Sequence, residues 1–303
     1  MDISIVIVNW NTRELLLDCL ASVYAMIREV SFEVFLVDNA SSDGSVETVR
    51  MQYPQVRIIQ NEKNLGFAAA NNKALRIMQG KYALLLNTDA ILTEGAITKL
   101  FRYMENHGDV AMTCGQLLNA DGSKQNSIAN FPGVLSLFCN ETVLRLLFPR
   151  RFPSKRQEYA APLNVDSCIG ACLMVRKAAM DAVGLLDERY FFFMEETDWA
   201  LAMHRAGWKS CFVPDASIYH LQGQSAGHNV RARIMFYRAR YQYFRKWFPQ
   251  SWPLHGLLVV ARLLINVLLN GVGLIVTLGL HGGIRGRLAL YLHLISWHLR
   301  GCP

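Results

Sequence analysis

Three short polar stretches hold the residues best suited to chemistry. "DNASSDGS" at 38–45 sets Asp38 and Asn39 directly behind an apolar run, "NTD" at 87–89 does the same with Asn87, Thr88 and Asp89, and Asn9-Trp10-Asn11 follows the first apolar run of the chain. An aspartate such as Asp38 can accept a hydrogen bond from the imide N–H of a uracil or thymine ring. The same residues also build an Asx turn, and the sequence leaves both readings open. Asn87-Thr88-Asp89, if extended, projects residues 87 and 89 to one side of the chain. One carboxylate with one neutral oxygen is a weak metal site by itself, but a divalent cation can also take oxygens from a bound diphosphate. Farther along, Glu195, Glu196 and Asp198 crowd a helix start, where acids ordinarily remain solvated, and His220 by itself reads as a satisfied core histidine.

The elements around these stretches alternate between two periods. Ile3 to Val8 is a continuous apolar run. Asn11 with Glu14 three residues later has the form of a helix cap, and Leu15, Leu16, Cys19, Leu20 and Val23 repeat at helical spacing. The unit recurs: a strand at 32–37 with a helix near 44–53, a strand at 56–60 with a helix near 67–79 ending at Gly80, then a strand from Tyr82 to Leu86. Strand and helix in alternation, with strands apolar on both faces, predict a mostly parallel sheet covered by helices on both sides. Ligands of such sheets bind beyond the carboxyl ends of the strands, where the three polar stretches fall. Residues 116–165 are less regular, with a turn at Asn119-Ala120-Asp121-Gly122 and Pro132, Pro149, Pro153 and Pro162 as punctuation.

Charge is unevenly spread. All 24 acids precede residue 216, whereas 10 of the 31 Lys and Arg follow it. That basic end contains Leu257 to Leu280, nearly all apolar and at the lower limit for crossing a bilayer. Arg262, Asn266, Asn270, Gly271, Gly273 and Gly279 interrupt it, so a helix lying in the membrane interface competes with a span and with a buried helical hairpin. Arg231 to Trp247 interleaves arginines with aromatics, the materials of nucleic-acid binding, but no nucleic-acid motif accompanies them and no nucleic-acid partner is expected. Asp2 precedes the first apolar run without a basic leader, which places the body of the protein in the cytoplasm. The seven cysteines, at 19, 114, 139, 168, 172, 211 and 302, form no CxxC pair and read as reduced core residues. Cys168 and Cys172 could share a helix face, without a His to make a metal site.

"ISIVIVNWN", "VDNASSDGS", "NEKNLGFAAANNKAL" and "LLLNTDA", followed by "IGACLMVRK", "VGLLDERYFFFMEETDWAL" and "VPDASIYHLQGQS", resemble the bacterial family 2 glycosyltransferases, particularly the rhamnosyltransferase-like branch, over about residues 3–248. The resemblance implies a Rossmann-like GT-A fold with C-terminal membrane-associated helices. It divides the chain into a transferase domain at 1–230, with a nucleotide half to about 115 and an acceptor half after it, and a basic, apolar tail at 231–303. It also implies an inverting displacement using Mg2+ or Mn2+. In that reading Asp38 holds the pyrimidine base with Asn9 nearby, and Asn11, Asn39, Asn64, Gly66, Asn71, Asn87, Thr88 and Gly170 line the nucleotide-sugar donor. Asp89 matches the last position of the family's Asp-x-Asp motif, Asn87 replaces its first, and His220 completes the metal site. Glu196 matches the catalytic base, with Glu195 and Asp198 as substitutes.

Two departures accompany the match. Ala202 stands where the family often has an arginine, leaving Arg205 the nearest cation, and Ala69-Ala70 replaces a common glycine pair. The expected function is transfer of a sugar, rhamnose from dTDP-rhamnose first, to a glycan or lipid-diphosphate-linked acceptor at the cytoplasmic face of the inner membrane during cell-surface polysaccharide synthesis. A UDP-hexose or UDP-N-acetylhexosamine donor, a nucleotide-sugar-binding protein without activity, and a basic membrane adaptor are the alternatives.

Overall fold

The computed structural model describes residues 1–133, 141–148, 152–153, 158–221, 230–278 and 280–301. Cys139, Cys302, Pro149, Gly279 and the final Gln-Gly-Gln-Ser of "VPDASIYHLQGQS" lie outside the described residues. The chain forms two compact units, 1–131 with 153–225, and 132–152 with 226–303.

In the first unit, β1 (Ile3–Asn9), β2 (Phe32–Asp38), β3 (Arg57–Gln60) and β4 (Tyr82–Asn87) run parallel in the order β3-β2-β1-β4. The strands β5 (Ala90–Leu92), β6 (Val110–Leu118), β8 (Leu163–Val165), β10 (Cys172–Arg176) and β11 (Lys209–His220) complete a nine-stranded sheet. There β10 runs antiparallel between β4 and β6, and β11 runs parallel to β6. Two short strands, β7 (Ile128–Ala129) and β9 (Ser167–Cys168), pair separately.

Alternation along the strands explains why they are apolar throughout. Ile3, Ile5, Ile7, Leu84 and Leu86 enter one core against α1 (Arg13–Met26) and α4 (Ala96–Asn106), while Val6, Phe35, Ala83 and Leu85 enter the other. That second core is closed by α3 (Phe67–Leu75), α6 (Lys177–Val183) and α7 (Glu195–Arg205). Each fully buried Leu or Ile contributes about 1.5–3 kcal/mol of transfer free energy, so both faces hold their helices firmly. The parallel register then aligns the strand ends: Asn9 sits beside Asp38, and Val8 beside Asn87.

Several local expectations change. α2 (Ser45–Gln52) and α3 are shorter than the periodicity suggested. Gly80 does not end α3; a Cβ there would meet Ser4 N at 2.5 Å, so it marks close packing against β1. Asn11 is not a helix cap, because its φ is +53° and its side chain accepts from Ser42 N. Cys168 and Cys172 lie on strands rather than one helix, and the five described cysteines are free and buried. The turn at 119–122 is formed as read, with Gly122 at φ +80° and a Gly122 N–H bond to Asn119 O.

The second unit is helical. It contains α5 (Glu141–Leu147), α8 (Val230–Trp247), α9 (Trp252–Val276) and α10 (Gly282–Leu299), the last three packed around Tyr241, Val259, Leu263, Leu294 and Trp297. α9 contains an apolar stretch, Leu254–Val276, long enough to cross a membrane, and only 11% of its most apolar window is buried. The reading of a buried core hairpin therefore fails for α9.

Candidate active site

A line of hydrogen bonds joins the ends of β1, β2 and β4. Asn9 Nδ2 donates to Asp38 Oδ1 at 2.9 Å and to Ser41 Oγ at 3.0 Å, while Thr12 Oγ1 donates to Asn9 Oδ1 at 2.8 Å and lies 3.0 Å from Thr88 Oγ1. Thr12 stands at the cap position of α1 without capping it, because its hydroxyl is committed to this line. Asp38 Oδ2 accepts from Ser41 N at 2.9 Å, three residues on rather than the two of an Asx turn, and each carboxylate oxygen keeps a further lone pair. Asn11 N donates to Ser41 Oγ, which fixes the loop after β1 against the loop after β2.

Neighbouring asparagines hold the next loop. Asn39 Nδ2 donates to Gly66 O, and its Oδ1 accepts from Asn61 Nδ2 and Leu65 N, so the side chain is occupied by the scaffold. Asn64 Oδ1 accepts from Gly66 N; Asn71 Nδ2 donates to Phe67 O, whereas its buried Oδ1 has no partner among the described residues. Gly66 has φ +82°, and a Cβ there would lie 2.3 Å from Phe191 O. Phe67 N donates to that same carbonyl at 2.8 Å, tying this loop to the segment that carries the acids at 195–198.

The geometry after β4 differs from the extended form considered from sequence. The strand ends at Asn87 and the chain turns through Thr88 and Asp89, so residues 87 and 89 do not project as strand neighbours. Asp89 is buried, and its Oδ1 lies 3.4 Å from His220 Nε2. Three features deliver His220. A bulge between Val213 and Ser217 bends β11; Gly115 makes room for it, since a Cβ there would be 2.0 Å from Ala216 O; and the second half of β11 then pairs with β5, setting His220 opposite Ala90.

Gln125 clamps that histidine, a role sequence reading missed. Its Nε2 donates to His220 O, so its Oε1 must be the atom 2.9 Å from His220 Nδ1. Nδ1 therefore carries a proton, and Nε2 is the ring atom turned toward Asp89, the orientation in which a histidine could ligate a metal through Nε2. Asp89 and His220 bring two donor atoms side by side, and a cation held there would need further oxygens from elsewhere. No group of three or more metal-binding side chains occurs among the described residues.

The three acids at the start of α7 separate by environment. Asp198 is buried and accepts from Tyr190 OH at 3.0 Å, with the tyrosine's own ionisation pushed up by burial and by that carboxylate. Glu195 is buried too; desolvation and then Glu196 raise its carboxyl well above the ordinary range, and its Oε2 has no partner among the described residues. Glu196 alone keeps partial exposure. Desolvation pushes it up to about 7, outweighing the backbone amides of Glu196 and Thr197 that favour the anion. Phe193 and Met194, just before the helix, both have φ +72°, a conformation costing about 1–3 kcal/mol per residue. Gly170 faces Glu196, whose Cβ and Cγ would be 3.9 Å from an added Cβ, and the adjoining Ala171 O accepts from Asn87 N at 2.9 Å. Local bonds thus connect the donor-side loops, the Asp89 turn and the Glu196 helix within one unit. Arg205 ends α7 and Ala202 lies within it, leaving Asp198 without an arginine one turn further along.

Comparison with known proteins agrees with this arrangement. The chain belongs to glycosyl transferase family 2, whose family model matches residues 4–184. It is 28% identical over 258 residues to an N-acetylglucosaminyl-diphospho-decaprenol L-rhamnosyltransferase of Mycobacterium tuberculosis, covering 78% of this chain and 84% of that protein. It is 26% identical to an N-acetylglucosaminyltransferase of Mesorhizobium japonicum, over 74% and 52% of the two chains. A Pyrobaculum calidifontis mannosyltransferase in complex with GDP-Man and Mn2+ superposes with TM-score 0.62 at 16% identity, over 98% and 86% of the chains. GalNAc-T7 with UDP, GalNAc and Mn2+ gives 0.60 at 15%, over 82% and 48%. The fold is of GT-A type, and the chain is a glycosyltransferase that uses a nucleotide-sugar donor.

Proposed function

We propose that this enzyme transfers a sugar, with rhamnose from dTDP-rhamnose as the leading donor, to a lipid-diphosphate-linked glycan with inversion at the anomeric carbon. The observation that carries the reading is Glu196, the most open of three helix-start acids, facing Gly170 and poised by desolvation near neutrality. The rhamnosyltransferase likeness at 28% identity supports the donor and acceptor class. Asp38, Asn9 and Ser41 form the floor for a pyrimidine base, and the loops held by Asn39, Asn64 and Asn71 bound the donor. Asp89 and His220, its ring fixed by Gln125, would hold Mg2+ or Mn2+ together with diphosphate oxygens; the crystallised neighbours with Mn2+ support this. The cation would offset negative charge on the departing nucleoside diphosphate.

In the reaction, the acceptor hydroxyl oxygen forms a bond to the anomeric carbon as the bond from that carbon to the diphosphate oxygen breaks. Glu196 takes the hydroxyl proton. The exposed apolar faces of α9 and of Leu146, Leu147 and Phe148, with the acid-free basic tail, support attachment to an anionic membrane surface, which we place at the cytoplasmic face of the inner membrane.

Incubation with dTDP-rhamnose, UDP-glucose or UDP-N-acetylglucosamine and an N-acetylglucosaminyl-diphospho-lipid tests the reading. Product from wild type, absent with Glu196→Gln and of inverted anomeric configuration, supports it. Nucleotide binding without turnover of any donor would favour a binding protein that has lost its chemistry.

A further inference from the structure

In the helical unit, α9 and α10 form an antiparallel hairpin. Gly273 of α9 faces Ile284 of α10, whose Cδ1 would lie 3.4 Å from an added Cβ, and one turn further in Arg287 Nε donates to Asn270 Oδ1 at 3.3 Å. Farther from the turn, Val259 and Leu263 share a core with Leu294 and Trp297. Continued along both helices, that register sets His293 level with Leu264. The two helices turn different surfaces outward. On α9, Leu257, Leu264, Ile265, Leu268, Val272 and Ile275 are each more than half exposed and share one face at helical spacing. Among the described residues of α9, Arg262 is the one exposed side chain that is not apolar. By contrast, α10 exposes Arg285, Arg287 and His293.

These surfaces decide how the hairpin can meet a bilayer. Leu254–Val276 is 23 residues long, about 34 Å as a helix and enough for a hydrocarbon layer of roughly 30 Å. If it crossed, α10 would have to cross beside it. The exposed His293 would then stand near the midplane and the exposed Arg262 about 5 Å from it, where polar and charged groups facing lipid are costly. A hairpin lying flat avoids that conflict, because one helix offers lipid an apolar stripe and the other keeps its arginines and histidine in water or among headgroups. We propose that the α9–α10 hairpin lies in a single leaflet of the membrane without crossing it, with the α9 stripe sunk among the acyl chains. Residues 216–303 hold no Asp or Glu, so anionic headgroups around the hairpin meet only cations. This deepens the membrane reading above and rests on it.

Cysteine accessibility in bacterial membranes tests the placement. The full-length protein carries Cys139→Ser and Cys302→Ser, the five other cysteines being buried. Single cysteines are added as Arg231→Cys, a reference on α8, as Gly286→Cys and His293→Cys on α10, and as Leu268→Cys in the α9 stripe. All four positions are exposed, and a Cβ at Gly286 meets nothing within 4 Å. A membrane-impermeant maleimide is applied to intact spheroplasts and to inverted vesicles. The proposal predicts that Gly286→Cys and His293→Cys follow the reference, labelled in inverted vesicles and not in spheroplasts. Leu268→Cys should lose labelling in both, relative to the same chain unfolded in urea. Labelling of Gly286→Cys from the outer side, or protection of His293→Cys from both sides, overturns the in-plane placement while leaving membrane attachment standing. Leu268→Cys labelled as fully as the reference in inverted vesicles overturns the stripe as the lipid-facing surface. Recovery of the chain in the soluble fraction overturns the membrane reading itself, and Leu268→Cys protected there assigns the stripe to a second copy of the chain.

Discussion

At the scale of single residues, the site works by giving similar groups different surroundings. Glu196 and Asp198 are two positions apart, yet one remains partly open and the other is closed under Tyr190. Glu196→Gln should lower kcat by roughly 10²- to 10⁴-fold while leaving nucleotide affinity near wild type, measured by turnover and titration. Because a base acts when deprotonated and Glu196 is pushed up to about 7, kcat/KM should rise with pH through neutrality and level off above it. In Glu196→Asp, with its shorter reach, the limb should persist with a lower plateau. Gln125 acts through another group: Gln125→Leu should weaken Mn2+ affinity in the presence of UDP by roughly 10- to 100-fold, read by manganese paramagnetic resonance. The place of Glu196 at a helix start was legible because it sits in an acidic cluster with Glu195 and Asp198. Gln125 was not, because an isolated glutamine in an irregular stretch acquires its meaning only when β11 bends back beside it.

At the scale of elements, loops are held by carbonyl contacts that forbid side chains. Gly66→Ala combines an unfavourable positive φ with a 2.3 Å approach to Phe191 O. It should cost at least about 1–2 kcal/mol of stability in denaturant unfolding, and reduce turnover by displacing the loop before Glu196. The first four strands and their order of appearance were readable because continuous apolar runs end in polar clusters. The position of β10 between β4 and β6, antiparallel to both, was not, since it depends on pairing between segments far apart in sequence. The helix cap at Asn11 failed for a related reason: the loops of β1 and β2 bind each other more extensively than either binds the helix end.

At the scale of the whole molecule, charge and hydropathy partition with the two units. The acid-containing α/β unit carries the transferase machinery, and the acid-free tail carries exposed leucines on α9. Leu268, 66% exposed, contributes little to packing, so Leu268→Glu should weaken vesicle association while shifting thermal stability by no more than about 0.5 kcal/mol. The tail's basic and apolar character was plain in the sequence. The packing of Tyr241 against Val259, Leu263, Leu294 and Trp297 was not, because it requires α8, α9 and α10 to fold together.

The central claim, that the strand ends hold a nucleoside diphosphate with a divalent cation at Asp89 and His220, is tested most directly by calorimetric titration. UDP and dTDP are titrated with Mn2+ and with EDTA, into wild type and Asp89→Ala. Metal-dependent binding abolished by the substitution is the predicted result, with the tighter base narrowing the donor. Equal binding with Mn2+ and EDTA, unchanged in Asp89→Ala, would contradict the assigned metal site, and no binding under any condition would contradict the donor site itself.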